Sequence, residues 1–244
     1  MQTTTTFCDD SRDPAVRGFL HSPANPNRDA VILTHGAGAN CSAPLIVALS
    51  EIFAANGYVV LRCDLPFRQE RPGGPPFPGK AERDRAGLRN AVAAVRRRVA
   101  GKIFLGGHSY GGRQATMLCA EERELVAGLL LLSYPLHPPR KPEQLRTQHL
   151  PNLRTPSLFV HGTRDPFGSI LEMTNAMRLV AGKNELLEVK GAGHDLGFKG
   201  KTQELPQVVF GKFNKMFGSG GSDSVSDEER SHRGDRGKEV HGGI

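Results

Sequence analysis

Tryptophan is absent from this chain, and tyrosine occurs only three times. With aromatic residues at 6%, the core is expected to be aliphatic. No aromatic platform interleaves with the basic residues, as nucleic-acid binding would require. Cysteine is scarce as well. Cys8, Cys41, Cys63 and Cys119 are scattered, without the paired spacing of a metal knuckle. A disulfide scaffold is excluded, and the pattern reads as reduced thiols in a cytoplasmic protein. No metal or other cofactor is expected. Gly36-x-Gly38 lacks the third glycine of a dinucleotide fingerprint. No apolar run approaches the roughly 20 residues that cross a bilayer. Met1 to Asp10 lacks the charged and apolar regions of a secretory leader. No membrane partner is expected.

What is present points to one globular domain. Of the 244 residues, 38% are hydrophobic and 29 are glycine, with a formal net charge of +7. Residues 1–217 read as the domain. Residues 218–244, rich in Gly, Ser and charge, read as a disordered tail. That tail holds six acidic and four basic residues, so the positive excess belongs to the body.

Apolar runs alternate with helical periods. Gln2 to Cys8 and Val16 to His21 read as a hairpin. Ala30 to Thr34, Tyr58 to Cys63, Lys102 to Gly107, Val126 to Ser133, Ser157 to His161 and Asn184 to Val189 read as buried strands. Helices are expected over Ala43 to Asn56, Lys80 to Ala100, Gln114 to Glu122, Ile170 to Ala181 and Leu205 to Phe217. Leu65 to Gly79, dense in proline and glycine, reads as a loop, and Tyr134 to Thr155 as a short connector. The alternation predicts an α/β fold, with a mostly parallel central sheet covered by helices on both faces.

In such sheets ligands gather at the carboxyl ends of the strands. His35, Asp64, Ser109, Asp165 and His194 all follow expected strands. Ser109 lies in Gly107-His108-Ser109-Tyr110-Gly111, a Gly-x-Ser-x-Gly pattern between a strand and a helix, which reads as a nucleophile elbow. A serine hydroxyl needs a base, and the base an orienting acid. The expected order is serine, acid, histidine. Asp165 in His161-Gly162-Thr163-Arg164-Asp165 and His194 in Gly191-Ala192-Gly193-His194-Asp195 fit that order. Ser109 is therefore the candidate nucleophile, His194 the base and Asp165 its orienting carboxylate. The backbone N–H groups of Ala37 and Tyr110 are the candidate oxyanion donors. Gly36 and Gly38 would let that backbone come close.

Other residues carry weaker signals. Asp195 competes with Asp165 but adjoins the histidine, where it is poorly placed to orient it. Asp64 is expected to shape the long loop. Arg68, Arg71, Tyr134 and His137 are candidates to line a pocket, but each reads first as a solvent-facing loop residue. Arg83, Arg85, Arg89 and Arg96 to Arg98 read as a solvated basic helix face, so no nucleic-acid partner is expected.

These motifs resemble the α/β-hydrolase superfamily from about Ala30 to Phe217. Thr34 to Gly38, Gly106 to Arg113 and Ser133-Tyr134-Pro135-Leu136-His137-Pro138-Pro139 resemble a subgroup of predicted hydrolases. That subgroup includes testis-expressed protein 30 and bacterial dienelactone-hydrolase-like proteins. The resemblance implies an α/β-hydrolase fold without a helical cap domain. Ser109 stands where true dienelactone hydrolases carry cysteine. The expected activity is a serine hydrolase cleaving a small ester, thioester or related acyl substrate. A non-catalytic scaffold and an acyltransferase are the alternatives.

Overall fold

Branched and apolar runs too short for helices become strands here, and their neighbours set which faces are buried. In the computed structural model, which describes residues 1–77, 79–198 and 204–218, eight strands form one sheet. They are β1 (Thr3–Asp9), β2 (Val16–Ser22), β3 (Ala30–Thr34), β4 (Val59–Asp64), β5 (Ile103–His108), β6 (Gly128–Leu132), β7 (Ser157–Gly162) and β8 (Asn184–Val189). The spatial order is β1-β2-β4-β3-β5-β6-β7-β8. Only β1–β2 and β2–β4 pair antiparallel, and the other five pairings are parallel. The expected α/β architecture is observed.

Every residue of β3, β6 and β7 is buried, because helices cover both faces. The helices are α1 (Pro44–Ala55), α2 (Pro66–Glu70), α3 (Ala81–Arg96), α4 (Tyr110–Glu121), α5 (Ile170–Met177) and α6 (Glu204–Phe217). Strand alternation divides the core in two. Ile32, Leu105, Leu129 and Leu131 pack with α3, α4 and α5. Val31, Leu33, Phe104, Leu130 and Leu132 pack with α1 and α6. Phe213 on α6 meets Phe53, Tyr58, Phe104 and Phe217, with ring centroids 4.7–6.0 Å apart.

Several boundaries differ from the sequence reading, among them that of α5, which stops at Met177, short of Ala181. The segment expected to be all loop after β4 contains α2. Pro66 occupies its first turn, where a fixed φ favours a helix and no N–H is missed. The helix α3 stops at Arg96, short of Ala100. The helix α4 begins directly after Ser109 at Tyr110, because the elbow passes into helix without a spacer. Between β6 and β7 the connection holds only the three-residue 3-10 turn Leu150–Asn152, so no helical cap is inserted there. The expected tail falls almost wholly outside the described residues.

Four arginines of α3 and the turn after it pair with neighbouring carboxylates. Arg83 meets Asp13 at 2.8 Å and Glu70 at 3.1 Å, Arg85 meets Glu121 at 3.3 Å, and Arg89 and Arg97 pair with Glu122 and Asp9. All four cysteines are free. No helix among the described residues is long and apolar enough to cross a membrane.

The chain reverses its direction of travel across the sheet between β3 and β5. It moves outward from β3 to β4, then returns to β5 on the other side of β3. In open sheets the carboxyl ends of two such strands are where ligands bind. His35 to Asn40 leaves one strand, and Ser109 the other.

Candidate active site

Ser109 terminates the run from β5 at φ 49° and ψ −114°. An L-residue held there is strained, and such strain persists only where the surroundings impose it. They do so by close packing. A Cβ on Gly107 would lie 2.8 Å from Gly112 N, and one on Gly111 would lie 2.5 Å from His35 O. Only glycine at both places lets α4 turn back so tightly. Ser109 N–H donates to Leu132 O at 2.8 Å, which ties the elbow to β6.

His194 reaches Ser109 from the loop after β8. Its Nε2 lies 2.8 Å from Ser109 Oγ. Its Nδ1 lies 2.8 and 3.0 Å from the two oxygens of Asp165. The Asp165 side chain is fully buried, and Oδ1 also accepts from Phe167 N at 2.8 Å. A carboxylate only accepts, so Nδ1 carries the proton. Nε2 then offers a lone pair to the serine hydroxyl. The three groups form one directed hydrogen-bond chain. Asp195 does not join it: its carboxylate caps the turn at Gly197 N, 2.9 Å away.

Two residues hold the His194 imidazole that spacing along the chain does not reveal. His108 Nε2 lies 2.7 Å from His194 O, so the residue before Ser109 anchors the histidine loop. Burial is the main force holding the His108 pKa below its ordinary value, which suits a neutral N–H donor. Phe167 stacks on the His194 ring, with centroids 4.1 Å apart and planes at 30°.

The loop after β3 packs directly on Ser109. A Cβ at Gly36 would lie 3.4 Å from Ser109 Cβ. His35 is fully buried, and its Nε2 accepts from Leu65 N at 3.1 Å. That fixes the proton on Nδ1, which donates to Gly36 O at 2.8 Å. Burial lowers the His35 pKa first, and the Arg68 cation adds to it; Gly36 O and Asp64 oppose them. Gly36 O also accepts from Ala39 N at 3.1 Å. Peptide planarity sets the Ala37 N–H antiparallel to that carbonyl. Among the described residues, neither Ala37 N nor Tyr110 N donates to another group. Gly38 differs from Gly36: nothing lies within 4 Å of a Cβ placed there, so close approach requires only the first of the two glycines.

Asp64, expected to shape the long loop after β4, instead accepts from Cys41 N at 2.7 Å in the loop after β3. Asp84 on α3, unsignalled in the sequence, accepts from Phe67 N at 3.0 Å and from Tyr110 OH at 2.6 Å. It thereby joins α2, α3 and the first residue of α4. Burial raises its pKa against those two hydrogen bonds. Three residues read as solvent-facing are buried instead: Arg68 at 6%, Tyr134 at 1% and His137 at 5% exposure. Their polar ends find main-chain carbonyls: Tyr134 OH donates to Arg146 O at 2.7 Å, and His137 Nδ1 lies 2.8 Å from Pro138 O. Arg71 is exposed, as expected. Among the described residues no group of His, Cys, Asp and Glu could hold a metal ion.

A mostly parallel sheet with a strained serine between strand and helix, hydrogen-bonded to a histidine and through it to an aspartate on later loops, is the arrangement of the α/β-hydrolase class. The comparisons with known proteins agree. The alpha/beta hydrolase domain family model matches residues 27–213, and the chain belongs to that family. Its fold is similar to a dienelactone hydrolase from Anabaena variabilis (TM-score 0.71, 19% identity, 88% of this chain and 99% of that one). It is also similar to Est1E from Butyrivibrio proteoclasticus (TM-score 0.68, 16% identity, 86% and 98%). A third similar structure is an α/β serine hydrolase without lid from Xanthomonas campestris (TM-score 0.65, 13% identity, 86% and 94%).

Proposed function

We propose that the protein is a serine hydrolase that cleaves a small ester, thioester or related acyl compound through an acyl-enzyme on Ser109. One observation carries the reading: Ser109 Oγ, His194 Nε2 and the Asp165 carboxylate are linked by hydrogen bonds of 2.8–3.0 Å. In the first step Ser109 Oγ attacks the acyl carbon while its proton passes to His194 Nε2. The carbonyl oxygen becomes an oxyanion, met by the N–H groups of Ala37 and Tyr110. Each donor contributes about 3 kcal/mol to lowering the barrier. Collapse breaks the bond to the leaving group, which takes the proton from His194. Water then repeats the sequence at the acyl-serine and releases the acid. Asp165 keeps its charge throughout and stabilises the imidazolium.

The test is covalent labelling with a fluorophosphonate probe, followed by turnover of p-nitrophenyl esters of graded chain length. Labelling and turnover are expected in the wild-type protein and lost in Ser109→Ala with the fold retained. A folded wild-type protein that neither takes the label nor turns over any ester would refute the reading, and would favour a scaffold. Added alcohols or amines as competing acceptors separate hydrolysis from acyl transfer by the products formed.

A further inference from the structure

Arg68 carries a positive charge that is 6% exposed, and no carboxylate among the described residues pairs with it. Its three nitrogens donate only to main-chain carbonyls. Nε reaches Ala39 O at 2.7 Å, and Nη2 reaches Ala37 O at 2.7 Å and Gly74 O at 3.0 Å. Nη1 reaches Arg71 O at 3.1 Å. Two of these carbonyls belong to the loop leaving β3, and two to the segment after α2. A buried cation is hard to keep, and neutral carbonyls compensate it only in good geometry. The planar fork supplies that geometry by aiming several donors at once.

The two peptide groups flanking Ala37 are thus fixed from opposite sides. His35 holds the carbonyl before it, and Arg68 the carbonyl after it. With both carbonyls held, the torsions of Ala37 are restricted, and with them the direction of its N–H. We propose that Arg68 is a positioning residue for the reaction at Ser109, holding Ala37 and Ala39 so that the Ala37 N–H meets the developing oxyanion. The proposal rests on the hydrolase reading of Ser109. Arg68 touches neither the nucleophile nor the base; it acts through the loop.

An oxyanion donor acts in the transition state, so its misplacement lowers kcat and leaves KM nearly unchanged. The experiment measures kcat, KM and melting temperature for Arg68→Ala and Arg68→Lys on a p-nitrophenyl ester that the wild-type protein turns over. Arg68→Ala is expected to lose roughly 10- to 100-fold in kcat, with KM within about threefold. Millimolar guanidinium ion is expected to restore part of the loss, and urea or sodium chloride none. Arg68→Lys, whose single ammonium cannot span four carbonyls, is expected to fall between and remains folded if the alanine variant does not. Phe213→Leu serves as a destabilised control, since Phe213 on α6 packs against Phe53 of α1, on the face of the sheet opposite α3 and α4. Wild-type kcat in folded Arg68→Lys, or losses no larger than those of Phe213→Leu at equal melting temperature, would overturn the proposal. A wild-type protein inert to probe and esters sinks the hydrolase reading, and this proposal with it; an active wild-type protein with unimpaired Arg68 variants sinks this proposal alone.

Discussion

Two glycines in one loop give opposite expectations. A Cβ added at Gly36 would stand 2.9 Å from His108 Nδ1 and 3.4 Å from Ser109 Cβ. Ordinary contact begins near 3.5 Å, so the first distance falls short by roughly 0.6 Å. His108 cannot absorb the difference freely, because its Nε2 is tied to His194 O at 2.7 Å. Either the loop retreats from Ser109 or the histidine loop is pushed. Each outcome displaces a group that, in the proposed reaction, meets the reacting carbonyl. A misplacement of this size costs about 10- to 100-fold in rate, or about 1.4–2.7 kcal/mol of barrier. Gly38→Ala meets nothing within 4 Å, and Gly38 is not among the glycines at positive φ. It is expected to keep kcat within about twofold and to gain about 0.4–1 kcal/mol of stability from a less flexible unfolded chain. The assay is kcat and KM on one p-nitrophenyl ester, with the labelling rate of Ser109 and a thermal melt alongside. Wild-type kcat in a folded Gly36→Ala variant would refute the reasoning. So would equal losses at the two positions.

Further expectations follow from the same contacts. Asp165→Asn keeps an acceptor for Phe167 N but favours the wrong imidazole tautomer, so kcat should fall about 10⁴-fold with a small change in melting temperature; a loss under tenfold would count against the assigned acid. His21 and His149 are held down to about 4 from 6.5, in both cases chiefly by burial, aided by Arg62 for His21 and by Arg113 and Arg85 for His149. The unfolded chain binds more protons between those values, so stability rises with pH across that window and is lost as pH falls from 6.5 towards 4. Melting temperature against pH should show this decline, and His21→Gln should flatten part of it; a level profile down to pH 4.5 would contradict the assignment. Phe213→Ala empties the centre of the α6 face and should cost about 3–5 kcal/mol in denaturant unfolding, without changing the labelling rate per folded molecule.

The strands were legible because a buried parallel sheet leaves an unmistakable trace. Ala30 to Thr34 and Asn184 to Val189 match the observed strands residue for residue. Ser109, Asp165 and His194 were legible because each sits just beyond such a strand. The misses share a physical cause. Arg68, Asp84, His108 and Phe167 act through contacts set by three-dimensional packing, and no spacing along the chain announces them. Arg68 and Tyr134 looked like loop residues because charge and hydroxyl suggest solvent. Their polar ends are satisfied by main-chain carbonyls instead, and that exchange cannot be read from residue type. The α2 helix was hidden by surrounding proline, although Pro66 itself favours a helix start.

The serine, the acid and the histidine are separated by long stretches of chain. Ser109 and His194 lie 85 residues apart, and His194 and Asp165 lie 29 apart. Their meeting requires β5, β6, β7 and β8 to be paired in one register. Contacts of such long sequence separation form slowly, after local helices have appeared. If Ser109 takes a fluorophosphonate label as proposed, the return of labelling is a clock for the last stage of refolding. Labelling should return after helical circular dichroism has recovered, and on the timescale at which β8 docks.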